Sequence, residues 1–108
     1  MCLMSELSYR KLYALEGKVA VVTGGAGILG QHFCSGLAES GARVAIVDML
    51  EDKAKALAGV LADRYKADVI GIGCDVSSPA SVHEMVRCVV AEFGELNVLH
   101  NNAAAKSD

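Results

Sequence analysis

The chain of 108 residues has one proline, no tryptophan and few other aromatic residues. No apolar run reaches the roughly 20 residues that a membrane-spanning helix needs, so we expect no membrane partner. The ten basic residues are outnumbered by thirteen acidic ones, and this balance leaves no positive surface for nucleic acid. Because 53% of its residues are apolar, the chain is not a disordered tail, and its length suffices to bury one core.

The four cysteines lack the spacing of a metal site or of a disulfide framework. They form no C-x-x-C pair and have no clustered histidine partner, so we expect no bound metal. Unpaired cysteines are typical of a reducing compartment, and residues 1–18 lack the apolar segment of a secretion signal. We therefore expect a cytoplasmic protein in which Cys34, Cys74 and Cys88 are small buried side chains.

Four short apolar runs alternate along the chain with three segments of helical period. The runs, which are apolar on both faces, occupy residues 18–23, 43–47, 69–74 and 96–100. The helical segments occupy residues 28–40, Glu51–Tyr65 and Pro79–Phe93. This alternation predicts an α/β fold with a parallel sheet between helices, and right-handed crossovers predict the strand order 3-2-1-4. The length allows one domain, placed at residues 16–108 after a leader at residues 1–15.

The spacing of apolar residues predicts which face of each helix is buried. In the first helix, the side chains expected to point inward are Ile28, Leu29, Phe33 and Leu37. In the second and third helices they are Ala54, Leu57, Ala58, Leu61 and Tyr65, and Val82, Met85, Val86, Val89, Val90 and Phe93. Ser78 before Pro79 is typical of a helix start, and Gly94 is typical of a helix end.

The strongest functional signal is the segment from Thr23 to Gly30, which reads TGGAGILG between the first strand and the first helix. Small residues here let the backbone turn tightly and approach a pyrophosphate, while the helix N-terminus offers N–H groups and partial positive charge. A tight turn without a ligand is the alternative, but the placement favours dinucleotide binding. The candidate cofactor-binding residues in this segment are Gly24, Gly27, Ile28, Leu29 and Gly30.

Asp48 closes the second strand, eighteen residues beyond Gly30. In a dinucleotide fold, a carboxylate at this position accepts hydrogen bonds from the adenosine ribose and repels a 2′-phosphate. Neither Met49 nor Leu50 supplies a positive charge for that phosphate. The sequence therefore predicts NAD as the cofactor, with a solvated loop aspartate as the alternative interpretation.

With these motifs in this order, the chain resembles the short-chain dehydrogenase/reductase family from Leu15 to its end. The family's cofactor loop T-G-x-x-x-G-x-G is matched by Thr23, Gly24 and Gly30. The family's N-N-A-G motif appears as NNAA at residues 101–104. The resemblance assigns four further cofactor-binding residues: Asp75 and Val76, which hold the adenine in the family, and Asn102 and Ala103, which lie against the cofactor.

The resemblance implies a Rossmann-type doubly wound sheet, of which the chain holds four strands and is thus incomplete relative to the family. It also implies hydride transfer between NAD(H) and a small-molecule alcohol or ketone, with sugars and polyols as candidate substrates. The fourth strand would have an uncovered apolar edge, so we expect a homo-oligomer.

Three departures from the family pattern bear on function. Ile28 and Ala104 stand where the family has glycine, and Gly27 lies one place before the first of these. The family's catalytic serine and Y-x-x-x-K pair follow the N-N-A-G motif and find no match in the 108 residues. We therefore assign no catalytic residue, expect the chain alone to be inactive, and keep a truncated, non-catalytic nucleotide-binding module as the alternative. His100, at the end of the fourth strand, is interpreted as structural, and His32 and His83 as solvated.

Overall fold

The fold, seen in a computed structural model that describes residues 15–101, alternates strands and helices throughout. In chain order the elements are β1 (Val19–Thr23), α1 (Ile28–Glu39), β2 (Arg43–Asp48), α2 (Glu51–Tyr65), β3 (Val69–Gly73), α3 (Pro79–Phe93) and β4 (Val98–Asn101). The strands pair in parallel in the order β3-β2-β1-β4. The predicted fold class and strand order are confirmed.

The two central strands carry the core. All five residues of β1 are buried, and β2 is buried over its four central residues. Their valine and isoleucine side chains suit a sheet that is covered on both faces. On one face α1 and α2 pack against residues such as Val22 and Ile46, and on the other α3 packs Met85 and Val89 against Val21 and Val47.

The outer strands are more exposed than the sequence predicts. Every residue of β3 is only partly buried, and Leu99 of β4 keeps 59% of its surface exposed. Within residues 15–101 each of these strands pairs with a single neighbour, so one side of each is open. The prediction of burial on both faces is therefore correct for β1 and β2 and wrong for β4.

The predicted inward face of α1 is wrong. Ile28 and Leu29 are 77% and 74% exposed, Phe33 is also exposed, and of the four predicted residues only Leu37 is buried. The residues that do face the sheet are Gly30, Cys34, Leu37 and Ala38. Apart from Leu37 these residues are small, so the helix lies close to the sheet while Ile28, Leu29 and Phe33 are turned outward.

The predicted faces of α2 and α3 are largely correct. All five predicted residues of α2 lie in or against the core, whereas Val86 and Val90 of α3 are exposed. Cys34 and Cys74 are buried as predicted, but Cys88 is exposed on α3, so that prediction is wrong. Val86, Cys88 and Val90 fall outside the stripe through Met85 and Val89, which contacts the sheet.

The ends of α3 are those that the sequence predicts. Ser78 adopts an extended conformation, and its side chain accepts a hydrogen bond from the N–H of Ser81 at 3.3 Å. Pro79 occupies the first helical position, and Gly94 ends the helix with a positive φ of 86°. Such caps satisfy backbone groups that a helix end leaves without partners.

Arg43 closes the edge of the sheet at which the strands begin. Its guanidinium donates to the carbonyl oxygens of Gly17 and Phe93, both at 3.0 Å, and forms an ion pair of 2.8 Å with Glu95. The side chain of Asn97 accepts a hydrogen bond from the N–H of Val19 at 2.8 Å. Side chains thus join the segments that precede β1 and β4 to the start of β2.

Glycine in β3 allows α2 to pack closely on the sheet. A Cβ atom on Gly71 would lie 2.5 Å from the carbonyl carbon of Ala54 and 2.6 Å from the amide nitrogen of Lys55. Both are backbone atoms of α2, so they cannot move aside as a flexible side chain could. Any larger residue at position 71 therefore has to push helix and strand apart.

We expect Gly71→Ala to destabilise the protein by about 1–3 kcal/mol, the usual cost of overpacking. Gly59→Ala is the matched control, because Gly59 lies in α2 with no atom within 4 Å of an added Cβ. That change should stabilise the helix by about 0.5–1 kcal/mol. Urea unfolding of both variants measures the difference, and an unchanged midpoint for Gly71→Ala would contradict the packing described above.

Candidate functional site

The carboxyl ends of the four strands gather the candidate residues at one edge of the sheet. The register places Thr23, the last residue of β1, opposite Val47 of β2 and Asn101 of β4. Asp48 pairs with Gly73 on the other side. In open parallel sheets this edge is where ligands bind, because the loops that follow the strands meet there.

The glycine-rich loop after β1 folds onto the end of β2. The N–H groups of Gly24 and Gly25 both donate to the carbonyl oxygen of Val47, at 2.7 and 3.2 Å. Gly24 has a φ of +68°, a conformation that favours glycine. A Cβ atom on Gly25 would lie 2.8 Å from a methyl group of Ile46. The first two glycines are therefore explained by the turn itself and by its contact with the sheet.

Gly30 brings α1 against this loop. A Cβ atom at Gly30 would collide with the carbonyl oxygen of Gly24 and would lie 2.7 Å from the Cα of Gly25. Helix and loop are thus in backbone-to-backbone contact, and the loop cannot keep its shape with a larger residue at position 30.

The helix N-terminus beside the loop has no side-chain cap. Gly27 is the N-cap residue. Its backbone is extended, and as a glycine it has no side chain that could cap the helix. The first turn of α1 contains no acidic residue, and the first N–H groups of a helix have no acceptor within it. An added Cβ on Gly27 would meet only the Gly24 oxygen, at 3.4 Å. These features fit a phosphate group, which would be bound by backbone N–H groups and the helix dipole.

Ile28 departs from the family pattern without strain. It is the first residue of α1 and has no positive φ, so the position does not require glycine. Its side chain is mostly exposed, as is that of Leu29, and both extend into solvent at the mouth of the loop.

Asp48 contacts the loop directly. Its Oδ2 accepts the N–H of Ala26 at 3.2 Å, and its Oδ1 accepts the N–H of Leu50 at 3.0 Å. Asp48 is therefore partly buried and bonded to the glycine-rich loop, and its contact with the ribose stays a prediction. The contact with Ala26 spans 22 residues of sequence, and no local pattern in the sequence indicates it.

Asp75 is held within its own turn after β3. Its Oδ1 accepts hydrogen bonds from the Oγ and the N–H of Ser77, at 2.6 and 3.0 Å. Both bonds hold the pKa of Asp75 below its usual value, and the bond from the Ser77 hydroxyl has the larger effect. The N–H of Asp75 donates to the Oγ of Ser81 at 3.0 Å, and Val76 is exposed beside it. The lowered pKa keeps Asp75 as a carboxylate at neutral pH, at the same edge of the sheet as Asp48.

The end of β4 is fastened to β1. Thr23 donates from its hydroxyl to the side-chain oxygen of Asn101 at 2.8 Å. The ring of His100 lies against Phe33 of α1, with 3.9 Å between the ring centroids, which agrees with a structural role for this histidine. His32 and His83 are exposed. The predicted cofactor-binding residues Asn102 and Ala103 lie outside the described residues.

Other reactive groups do not add to the site. Burial raises the pKa of the Cys34 thiol to about 12, so this cysteine stays protonated beneath the loop.

Within residues 15–101 no three metal-ligating side chains lie together. In the same part of the chain, no helix combines the length and the apolar character needed to cross a membrane.

Comparison with known proteins gives a consistent result. D-threitol dehydrogenase of Mycolicibacterium smegmatis is 43% identical over 98 residues, which are 91% of this chain and 37% of that protein. The crystal structure of L-sorbose reductase from Gluconobacter frateurii, in complex with NADPH and L-sorbose, superposes with a TM-score of 0.81 at 32% identity, over 87% of this chain and 36% of that one. NAD+-bound xylitol dehydrogenase superposes with a TM-score of 0.74 at 30% identity, over 79% of this chain and 32% of that one.

The chain thus spans about a third of the length of these relatives. The sequence model of one family, described as short chain dehydrogenase, matches residues 18–108. That match covers the sheet, the glycine-rich loop and every candidate residue. The chain belongs to the short-chain dehydrogenase family.

Proposed function

We propose that the chain is the cofactor-binding part of an NAD-dependent oxidoreductase, which transfers hydride between NAD(H) and an alcohol or ketone. The observation that carries the proposal is the meeting of the glycine-rich loop, the uncapped start of α1 and the Asp48 carboxylate at one edge of the sheet. The first two fit the pyrophosphate of a dinucleotide, and the third fits its adenosine ribose.

Backbone groups are proposed to bind the pyrophosphate. The N–H groups of Ile28, Leu29 and Gly30 form the first turn of α1, beyond the N-cap residue Gly27. Gly24 shapes the loop that brings this turn to the strand ends. A bound phosphate would accept hydrogen bonds from these groups and interact favourably with the helix dipole.

The choice of NAD over NADP is proposed from Asp48. Each of its two oxygens accepts one backbone N–H, and an ionised carboxylate has about four acceptor positions, so it can also bind ribose hydroxyls. Its negative charge opposes a 2′-phosphate, and the exposed neighbours Met49 and Leu50 offer no cation in compensation. Asp75 and Val76, with Asn102 and Ala103, are proposed to complete the cofactor site.

The substrate is proposed to be a polyol or a sugar. Three of the similar proteins are named for threitol, xylitol and sorbose. The nicotinamide would accept or donate the hydride, while the residues described above hold the dinucleotide in place.

A non-catalytic nucleotide-binding module is the second candidate. It shares the cofactor site described above and differs from the enzyme only in having no catalytic residues beside that site. The genomic reading frame after Asp108 separates the two. An encoded serine and Y-x-x-x-K pair supports the enzyme, and a stop codon supports the module.

Gly30→Ala tests whether the loop binds the cofactor. We expect NAD binding to be lost, because the added Cβ displaces the backbone of Gly24 and Gly25. Gly36→Ala is the matched control in the same helix, since an added Cβ there has no atom within 4 Å. Calorimetric titration with NAD measures both variants. Equal binding by the two would exclude the loop as the cofactor site.

A double variant, Asp48→Ser with Met49→Arg, tests the cofactor preference. We expect the ratio of NADP to NAD affinity to rise, because the ribose loses bonds to a charged group, worth about 1.5–3 kcal/mol each, and the 2′-phosphate gains a cation. Met49→Arg alone is the control, because it keeps the carboxylate. Titration with both dinucleotides is the measurement, and an unchanged ratio in the double variant would show that Asp48 does not face the ribose.

We propose that the protein is a homo-oligomer. Leu99 on β4, with Val86 and Val90 on α3, leaves apolar surface exposed within residues 15–101, and an open edge strand favours association. Light scattering on the 108-residue chain at micromolar concentration should give a mass above that of one chain. Leu99→Thr should shift the population toward the monomer, and a monomeric parent chain would contradict the proposal.

A further inference from the structure

Three consecutive N–H groups of the glycine-rich loop are bonded to the end of β2. Those of Gly24 and Gly25 donate to the main-chain oxygen of Val47, which any residue at that position would supply. The third, from Ala26, donates to the Oδ2 of Asp48 at 3.2 Å. The last of these bonds therefore depends on which side chain occupies position 48.

The Asp48 side chain is well placed to hold the loop, because it is itself held. Its Oδ1 accepts the N–H of Leu50 at 3.0 Å, two residues along the chain, as in an Asx turn. The carbonyl oxygen of Asp48 accepts the N–H of Cys74 at 3.0 Å, which joins this residue to the end of β3. The carboxylate thus projects from a part of the sheet edge that is bonded on both sides.

Ala26 is also held at its other end. Its carbonyl oxygen accepts a hydrogen bond from the side-chain amide of Gln31 at 3.1 Å. It immediately precedes Gly27, the N-cap of α1. The position of Ala26 therefore sets the direction in which the first-turn N–H groups of α1 point.

We propose that Asp48 is a positioning residue for the phosphate-binding loop, in addition to the ribose contact proposed above; this inference rests on the proposed function. The same carboxylate would then couple two parts of the cofactor site. Replacing it would weaken binding at the pyrophosphate, which NAD and NADP share, as well as changing the preference between them.

Removing the negative charge of Asp48 tests the proposal, because the affinity for pyrophosphate should change in opposite directions under the two possible roles of this residue. Pyrophosphate is an anion, so removing a nearby negative charge should strengthen its binding if Asp48 acts only through charge or only on the ribose. If Asp48 holds the loop, the same change should weaken pyrophosphate binding. The two roles therefore predict opposite outcomes for one ligand that contains no ribose.

The experiment titrates the 108-residue chain and Asp48→Asn with inorganic pyrophosphate and, separately, with adenosine, followed by NMR. Asparagine keeps the size of the side chain but has a single acceptor oxygen. It therefore cannot accept the N–H groups of Ala26 and Leu50 through two separate oxygens, as Asp48 does. We expect Asp48→Asn to bind pyrophosphate roughly three- to tenfold more weakly, as the loss of one hydrogen bond implies. Asp52→Asn is the matched control. It removes the same charge from an exposed position in the first turn of α2, and should change the affinity by no more than about twofold.

Amide hydrogen exchange in the ligand-free protein provides a second readout. In Asp48→Asn the Ala26 N–H should exchange faster, while Gly24 and Gly25 keep the protection that their bonds to Val47 provide. Asp48→Ser should behave in the same way, and it replaces the asparagine variant if that variant does not fold. Unchanged exchange at Ala26, or pyrophosphate binding as strong in Asp48→Asn as in Asp52→Asn, would overturn the proposal.

The two readouts also separate this inference from the proposed function. A parent chain that binds neither pyrophosphate nor adenosine would contradict the proposed function. In that case the exchange of Ala26 would decide by itself whether Asp48 holds the loop.

Discussion

The parallel register of β1 against β2 is the constraint on which the candidate site depends. Because Thr23 lies opposite Val47, the residues that follow each strand leave the sheet side by side. The loop N–H groups then reach the Val47 oxygen, and the Asp48 carboxylate reaches Ala26. A shift of the register by one residue would separate these partners and turn the side chains of the shifted strand toward the opposite face of the sheet.

Two glycines allow helices to pack closely, one against the loop after β1 and one against β3. Gly30 lets α1 touch the loop backbone, and Gly71 lets α2 touch β3 through its backbone. In both places the limiting contact is between main chains, so the fit depends on the absence of a side chain. This closeness also explains why α1 presents small residues such as Cys34 and Ala38 to the core while Ile28, Leu29 and Phe33 remain outside.

The parts of the structure that the sequence predicts are those decided by local chemistry. The bounds of α2 and α3 agree with the predicted segments. For α3 the reason is local, because Ser78, Pro79 and Gly94 satisfy or remove backbone groups at the ends of the helix. The strand order follows from the handedness of parallel crossovers, which is nearly invariant. Asp48 could be recognised as a candidate because its position at the end of a strand, after a glycine-rich loop, carries chemical meaning by itself.

What the sequence does not predict depends on geometry between distant residues. Two sets of residues in α1 share the helical spacing, and only the contact of Gly30 with the loop selects the one that is buried. The exposure of Leu99 depends on which elements lie beside β4, a matter of tertiary structure and not of strand pattern. The bond from Ala26 to Asp48 requires both the register of the strands and the shape of the turn, neither of which a carboxylate in a sequence reveals.

The two edges of the sheet differ in a way that follows from these contacts. At the edge where strands begin, the long side chain of Arg43 uses its donors on carbonyl oxygens and on Glu95. Those contacts join segments to one another. At the opposite edge the groups are main-chain N–H groups at a helix start without a side-chain cap, with a carboxylate beside them. Groups of opposite character thus face the same space, which suits a ligand that is anionic at its phosphates and a hydrogen-bond donor at its ribose.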